Sequence, residues 1–228
     1  MITVHHLETS RSQRILWLLE ELGIDYKIKV YKRDPKTKLA PAALKKVHPL
    51  GKSPVITDGG ETFAESGAIL EYLAECYGDS AHGDLVHLQP AMGSPAHRQV
   101  RFWMHYAEGS LMSWLVMKLV FMTLPIQPMP FFVRPIARAL CSAVQAKLID
   151  PNLATALAFI EDHLSHNTWF AGDHITLADF QMSFAVEAAL SRAAQGAHFL
   201  HLAAYQARMV ARPAYQRAVA KGGPVVMG

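Results

Sequence analysis

"PLGKSPVITDGGETFAESGAILEYLAECYG", Pro49 to Gly78, carries two structural periods one after the other. Its first part, "SPVITDGGETFAES", reads as a β-hairpin, because Gly59-Gly60 can take the positive φ angles that a tight turn demands. Its second part, "SGAILEYLAECYG", has apolar residues at helical spacing and closes at Gly78, so it predicts an amphipathic helix. Toward the N-terminus, "ITVHHL" is a short β run, and Ile15, Leu16, Leu19 and Leu22 then recur at helical spacing up to Gly23. "YKIKVY" alternates as a further strand, with Ile28 and Val30 on one face. The charged "KRDPKTKLAPAALKKVHP" predicts a loop and a short helix. The order is β-α-β-α-β-β-α, a small mixed sheet with helices.

Toward the C-terminus, "DSAHGDLVHLQPAMGSP", Asp79 to Pro95, is rich in turn formers and has no sustained period. It reads as an interdomain linker. Beyond it the β signals fade, and helical patterns run through Arg98–Leu124, Arg134–Ile149, Pro151–His166, Leu177–Arg192 and Ala214–Ala220. The expected division is an α/β unit over 1–80, a linker over 81–95 and an all-helical unit over 96–228.

Composition narrows the function. The chain has 228 residues, 51% hydrophobic and 18% charged, with 22 basic against 19 acidic side chains. That excess is weak and no basic stripe is interleaved with aromatics, so no nucleic-acid partner is expected. The two cysteines, Cys76 and Cys141, form no CxxC spacing, which disfavours a disulfide framework or a zinc site. The neighbouring histidines His5 and His6 would face opposite sides of a strand, and no HExxH occurs, so no metal is expected. No signal peptide is evident, and a reducing cytoplasm fits best. "SWLVMKLVFMTLPIQPMPFFV", Ser113 to Val133, is apolar enough to suggest a membrane span. Lys118 interrupts it and Pro125, Pro128 and Pro130 break its second half. The expectation is a buried helix followed by a stiffened loop, not a span.

Three hydroxyls, Thr9, Ser10 and Ser12, sit among Arg11 and Arg14 just ahead of the first helix. One hydroxyl serves as a helix cap, because its oxygen accepts from an unpaired backbone N–H. The others need a different explanation.

"TSRSQR", "PLGKSPVI" and "ES" at Glu65-Ser66, with the helix that follows, together resemble the cytosolic glutathione transferase family. The resemblance covers essentially the whole chain, and "SRSQRILWLLEELG" is most similar to a serine-type subgroup of bacteria and fungi. It implies a thioredoxin-like N-terminal domain followed by an all-α domain, and glutathione as co-substrate. It also implies a cis bond before Pro54, with the backbone of Ser53 pairing the peptide ligand like an extra strand. Many relatives carry an aliphatic residue where this chain has Ser53. Lys52 would contact the glycine carboxylate of glutathione. Ser66, the expected N-cap of the following helix, would meet the γ-glutamyl carboxylate, with Glu65 holding the adjacent ammonium.

The resemblance assigns one serine hydroxyl to the glutathione thiolate. Shifting a thiol from about 8.5 to mostly ionised at pH 7 takes about 2.7 kcal/mol. One hydrogen bond to a charged group contributes about 1.5–3 kcal/mol, which suffices without a base or metal. Ser10 is the first candidate, Ser12 the second and Thr9 the third, with Ser12 the expected cap. No cysteine precedes Cys76, which disfavours the family's cysteine-type chemistry. Thr176-x-x-Asp179 resembles the family's buried capping box. Trp103, Tyr106, Met112, Trp114, Met117 and Phe121 are mostly core, with a subset lining an apolar pocket. The implied activity is conjugation of glutathione to an apolar electrophile, or reduction of an organic peroxide, in a detoxifying cytoplasmic homodimer. The alternatives are a glutathione binder without appreciable turnover and a glutathione-dependent dehalogenase or isomerase.

Overall fold

A computed structural model describes residues 1–80, 83–193 and 199–224. Ala81 and His82 of the expected linker, and residues 194–198 and 225–228 of the expected helical unit, lie outside the described residues. Four strands form one mixed sheet in the order β2-β1-β3-β4. They are β1 (Ile2–Leu7), β2 (Tyr26–Tyr31), β3 (Val55–Asp58) and β4 (Glu61–Ala64). β1 runs parallel to β2 and antiparallel to β3, with His5 opposite Val55, and β3 pairs antiparallel with β4. Gly59 and Gly60, at φ 55° and 97°, turn β3 into β4. Ile28 packs against the core, whereas Val30 is exposed because β2 is a sheet edge. Where the sequence suggests a short α-helix, a 3₁₀ turn forms at Ala42–Lys46, started by Pro41.

Helix α1 (Gln13–Leu22) follows β1, and Gly23 ends it in the left-handed conformation at φ 66°. Its spacing suggests one apolar face, yet Ile15, Leu16, Trp17, Leu18 and Leu19 are all buried. Packing explains this, because α2 (Ser66–Tyr77), α7 (Leu177–Arg192) and α9 (Pro213–Gly222) all lie against α1. Trp17 alone meets Phe180 of α7 at 4.3 Å and Tyr215 of α9 at 5.3 Å. The core is therefore shared between the sheet and the helical part.

The helical part differs from expectation in three places. α3 (Pro95–Tyr106) and α4 (Met112–Thr123) are one run joined by a π turn at Ala107–Leu111. α5 (Arg134–Val144) likewise passes through a π turn at Gln145–Ile149 into α6 (Asp150–His166), so Pro151 does not end the helix. A π turn already departs from i−4 bonding, which lets a residue without an N–H enter at low cost. The third difference is α8 (Leu200–Val210), unforeseen, which buries Leu202, Tyr205 and Met209.

The Ser113–Val133 expectation needs correction. In α4 only Met112 and Leu115 are buried, while Val116, Val120 and Met122 are exposed. The loop beyond it exposes Phe131 and Phe132. The run Pro95–Ile126 is long and apolar enough by composition to cross a membrane. Its inner side nevertheless packs on α7, and its π turn carries Glu108, which is ion-paired with buried Arg14 of α1.

Candidate active site

Three chain reversals meet where the sheet faces the helical part. They are the loop from β1 into α1, the Lys52–Pro54 segment before β3, and the junction of β4 with α2. Together they line a cavity of about 220 Å³ that includes Arg11, Lys52, Ser53, Pro54, Glu65 and Ser66. His48 and Leu50 close one side, and Glu108 reaches in from the π turn after α3.

The Ser53–Pro54 peptide is cis. The Ser53 hydroxyl donates to the His5 carbonyl (3.0 Å) and accepts from the Leu7 N–H (3.2 Å). A side chain thus continues the β1–β3 ladder beyond Val55, which ties this segment to the sheet. Glu65 is exposed and stands at φ 71°, ψ 120°, a conformation that costs a residue with a Cβ of order 1–3 kcal/mol. Its carbonyl accepts the first helical bond, from Ile69, so Glu65 occupies the cap position of α2 and Ser66 is the first helical residue. The expected cap role of Ser66 is therefore corrected. Its buried hydroxyl oxygen accepts from Arg14 Nη1 at 2.9 Å instead.

Arg14 is fully buried under the cavity. The same Nη1 donates to Glu108 Oε1 at 2.6 Å, and Arg11 Nε donates to both Glu108 oxygens at 2.9 and 3.0 Å. Burial lowers the Arg14 pKa to about 10, with Glu108 opposing the shift. Burial pushes the Glu108 carboxyl up, but Arg14 and Arg11 outweigh it and hold the group below its ordinary range. Both guanidinium groups also lie over the Phe184 ring, at 5.6 and 5.7 Å.

Lys52, Ser53, Pro54, Glu65 and Ser66 thus share one cavity, and Ser10 and Ser12 do not line it. Both serines, which flank Arg11 in the chain, are buried and in contact with each other at 2.7 Å. Ser12 occupies the cap position of α1 but makes no side-chain cap bond, which corrects its expected role. Its hydroxyl meets His6 Nδ1 at 2.8 Å. Thr9, at φ 47°, borders a different cavity shared with Arg33 and Pro224. Sequence reasoning missed Glu108, which lies 94 positions from its partner Arg14 and follows no local motif. No group of three or more His, Cys, Asp or Glu side chains suited to a metal occurs among the described residues.

A four-stranded sheet with a cis-proline turn leading into β3, packed against a helical half, defines a protein of the thioredoxin-like plus all-α class. Residues 10–76 match the model of the glutathione S-transferase N-terminal domain, and residues 130–213 that of the C-terminal domain. Glutathione S-transferase 3 of Schizosaccharomyces pombe is 40% identical over 192 residues, covering 83% of this chain and 74% of the relative. Glutathione S-transferase 1 of Saccharomyces cerevisiae is 32% identical over 199 residues, covering 84% and 82%. Among solved structures, a glutathione S-transferase from Actinobacillus pleuropneumoniae superposes with a TM-score of 0.75 at 29% identity, over 97% of this chain and 93% of that one. The chain belongs to the glutathione transferase family.

Proposed function

We propose that this chain is a glutathione transferase of the serine type, which ionises the thiol of bound glutathione for attack on an apolar electrophile or an organic peroxide. The observation that carries the reading is the single cavity shared by Lys52, Ser53, Glu65 and Ser66. Its charges match an extended peptide that has a carboxylate at one end and an α-amino acid at the other. Lys52 takes the glycine carboxylate, and the Ser53 backbone pairs with the peptide as an added strand. Glu65 takes the ammonium. Because the Ser66 oxygen accepts from Arg14, its own proton is directed to the γ-glutamyl carboxylate. Ser10, next in the chain to the cavity-lining Arg11, is the donor to the thiolate. The family names of the two yeast relatives support the same chemistry.

The reading extends to a thioredoxin-like unit over 1–80, a linker over 81–95 and a helical unit over 96–228 that supplies the apolar site. It places the protein in the cytoplasm, in a detoxifying role, as a homodimer. Exposed Phe102, Val116, Val120, Ile136 and Leu140 along α3 to α5 support an apolar partner surface.

The decisive measurement is calorimetry with glutathione. Glu65→Ala removes a charge-assisted bond and should weaken binding by about tenfold to a hundredfold. Unchanged affinity removes the assignment. One observation favours a second reading, binding without turnover, because the Ser10 hydroxyl is engaged with Ser12. Turnover of a generic aryl halide separates the two.

A further inference from the structure

Ser10, Ser12 and His6 form one hydrogen-bonded line whose direction can be assigned atom by atom. His6 Nε2 lies 2.8 Å from the carbonyl oxygen of Gly222. A carbonyl only accepts, so Nε2 carries a proton. In the neutral ring Nδ1 is then an acceptor, and Ser12 donates to it across 2.8 Å. Ser12 has thereby used its one hydroxyl proton, so Ser10 donates to Ser12 across 2.7 Å. The Ser10 oxygen accepts the Ser12 backbone N–H at 3.3 Å. In this state the Ser10 proton is committed to Ser12 and none is left for a sulfur. The line reverses only if Nδ1 gains a proton.

We propose that His6 is a positioning residue, which takes up the proton of the bound thiol through Ser12 and Ser10 and so turns the Ser10 hydroxyl toward the sulfur. The proposal rests on the reading of Ser10 as the thiolate donor. As the S–H bond breaks, its electron pair stays on sulfur and its proton joins Ser10 Oγ. The former Ser10 proton passes to Ser12 Oγ, and the former Ser12 proton forms an N–H bond at His6 Nδ1. The thiol becomes a thiolate and the imidazole an imidazolium, with no oxidant or reductant involved. Afterwards His6 donates to Ser12, Ser12 to Ser10, and Ser10 to the thiolate.

The surroundings of His6 suit the resting and the charged state in turn. Burial lowers its pKa, opposed by the Gly222 carbonyl and by Glu8, so the ring is neutral before the thiol arrives. From α1, uncharged Gln13 and Leu16 crowd the same point of Gly222 as the His6 ring. From α9, Lys221 beside Gly222 is paired with Glu20. Glu8 is therefore the charged group acting on the ring, and it favours the imidazolium. Neighbouring His5 bonds Tyr31 on the other side of the sheet.

Nitrogen NMR of the labelled protein tests this directly. Adding glutathione should move His6 Nδ1 from the unprotonated to the protonated shift, whereas S-methylglutathione should not. His6→Asn accepts from Ser12 but takes no proton, and should raise the bound thiol pKa by about one unit, a tenfold loss of thiolate below it. Ser12→Ala breaks the line while keeping the His6 bond to Gly222, and should act in the same direction. Suppose that thiolate absorbance appears and Ser10→Ala abolishes it, yet His6 stays neutral. The relay is then wrong while Ser10 keeps its role. If Ser10→Ala leaves the thiolate unchanged, both readings fall.

Discussion

Glu65 and Glu108 act on stability in opposite directions. Glu65 holds φ 71° although it carries a Cβ. Glu65→Gly should therefore raise stability by about 0.5–1 kcal/mol in denaturant unfolding. The same variant should lose affinity for glutathione, so opposite signs in the two assays are the expected result. Glu108 neutralises a guanidinium that has no access to water. Glu108→Ala leaves Arg14 buried without a carboxylate and should destabilise the fold by about 2–4 kcal/mol, less than a fully buried pair because Glu108 is half exposed. An unchanged urea midpoint would contradict that account. The cavity residues with local motifs were legible in the sequence, since "GKSP" and "ES" each lie within one turn of chain. Glu108 was not, because only the tertiary fold brings the π turn against Arg14 of α1. The orientation of Ser10 and Ser12 was not legible either, because it depends on His6 and on the distant Gly222.

Among the helices, α7 is the one whose start is most tightly specified. The Asp179 carboxylate accepts from the backbone N–H groups of Thr176 (2.8 Å) and Phe170 (2.9 Å) and from the Thr176 hydroxyl (3.1 Å). Asp179→Ala strands these donors and should cost about 2–4 kcal/mol. Burial nonetheless raises the Asp179 pKa from 3.8 to about 6. A raised acid binds its proton more tightly in the fold than in the open chain. Its contribution is therefore fully present below about pH 4 and is lost as pH rises through about 6. Relative to Asp179→Asn, which does not titrate, the wild type should lose stability across that window. Parallel pH profiles for the two proteins would rule the linkage out. This capping pattern was readable because it is local. α8 was not foreseen although Leu202, Tyr205 and Met209 keep helical spacing. The edge strand and the outer face of α4 misled for the opposite reason. Apolar residues there follow a core-like pattern, yet in the single chain they face outward.

For the whole molecule, the outward apolar residues on α3 to α5 set the expected assembly. Light scattering at micromolar concentration should give a particle of twice the 25.2 kDa chain mass, as two-fold homodimers usually do. A 25.2 kDa particle would count against the partner surface. The order of folds along the chain was legible from period alone, but the way α9 returns to the sheet was not. That return covers α1 and is clamped by Arg217 and Lys221 on Glu20 and by Arg212 on Glu21. A chain emerging from the ribosome presents Gln13–Leu22 early and Pro213–Gly222 almost two hundred residues later. Until then Leu16 and Trp17 lack the wall formed by Gly222 and Tyr215. The sheet half, although made first, is finished last. Nascent chains stopped short of Ala211 should stay open to protease throughout that half, and the protein should depend on chaperone cover until synthesis is nearly complete.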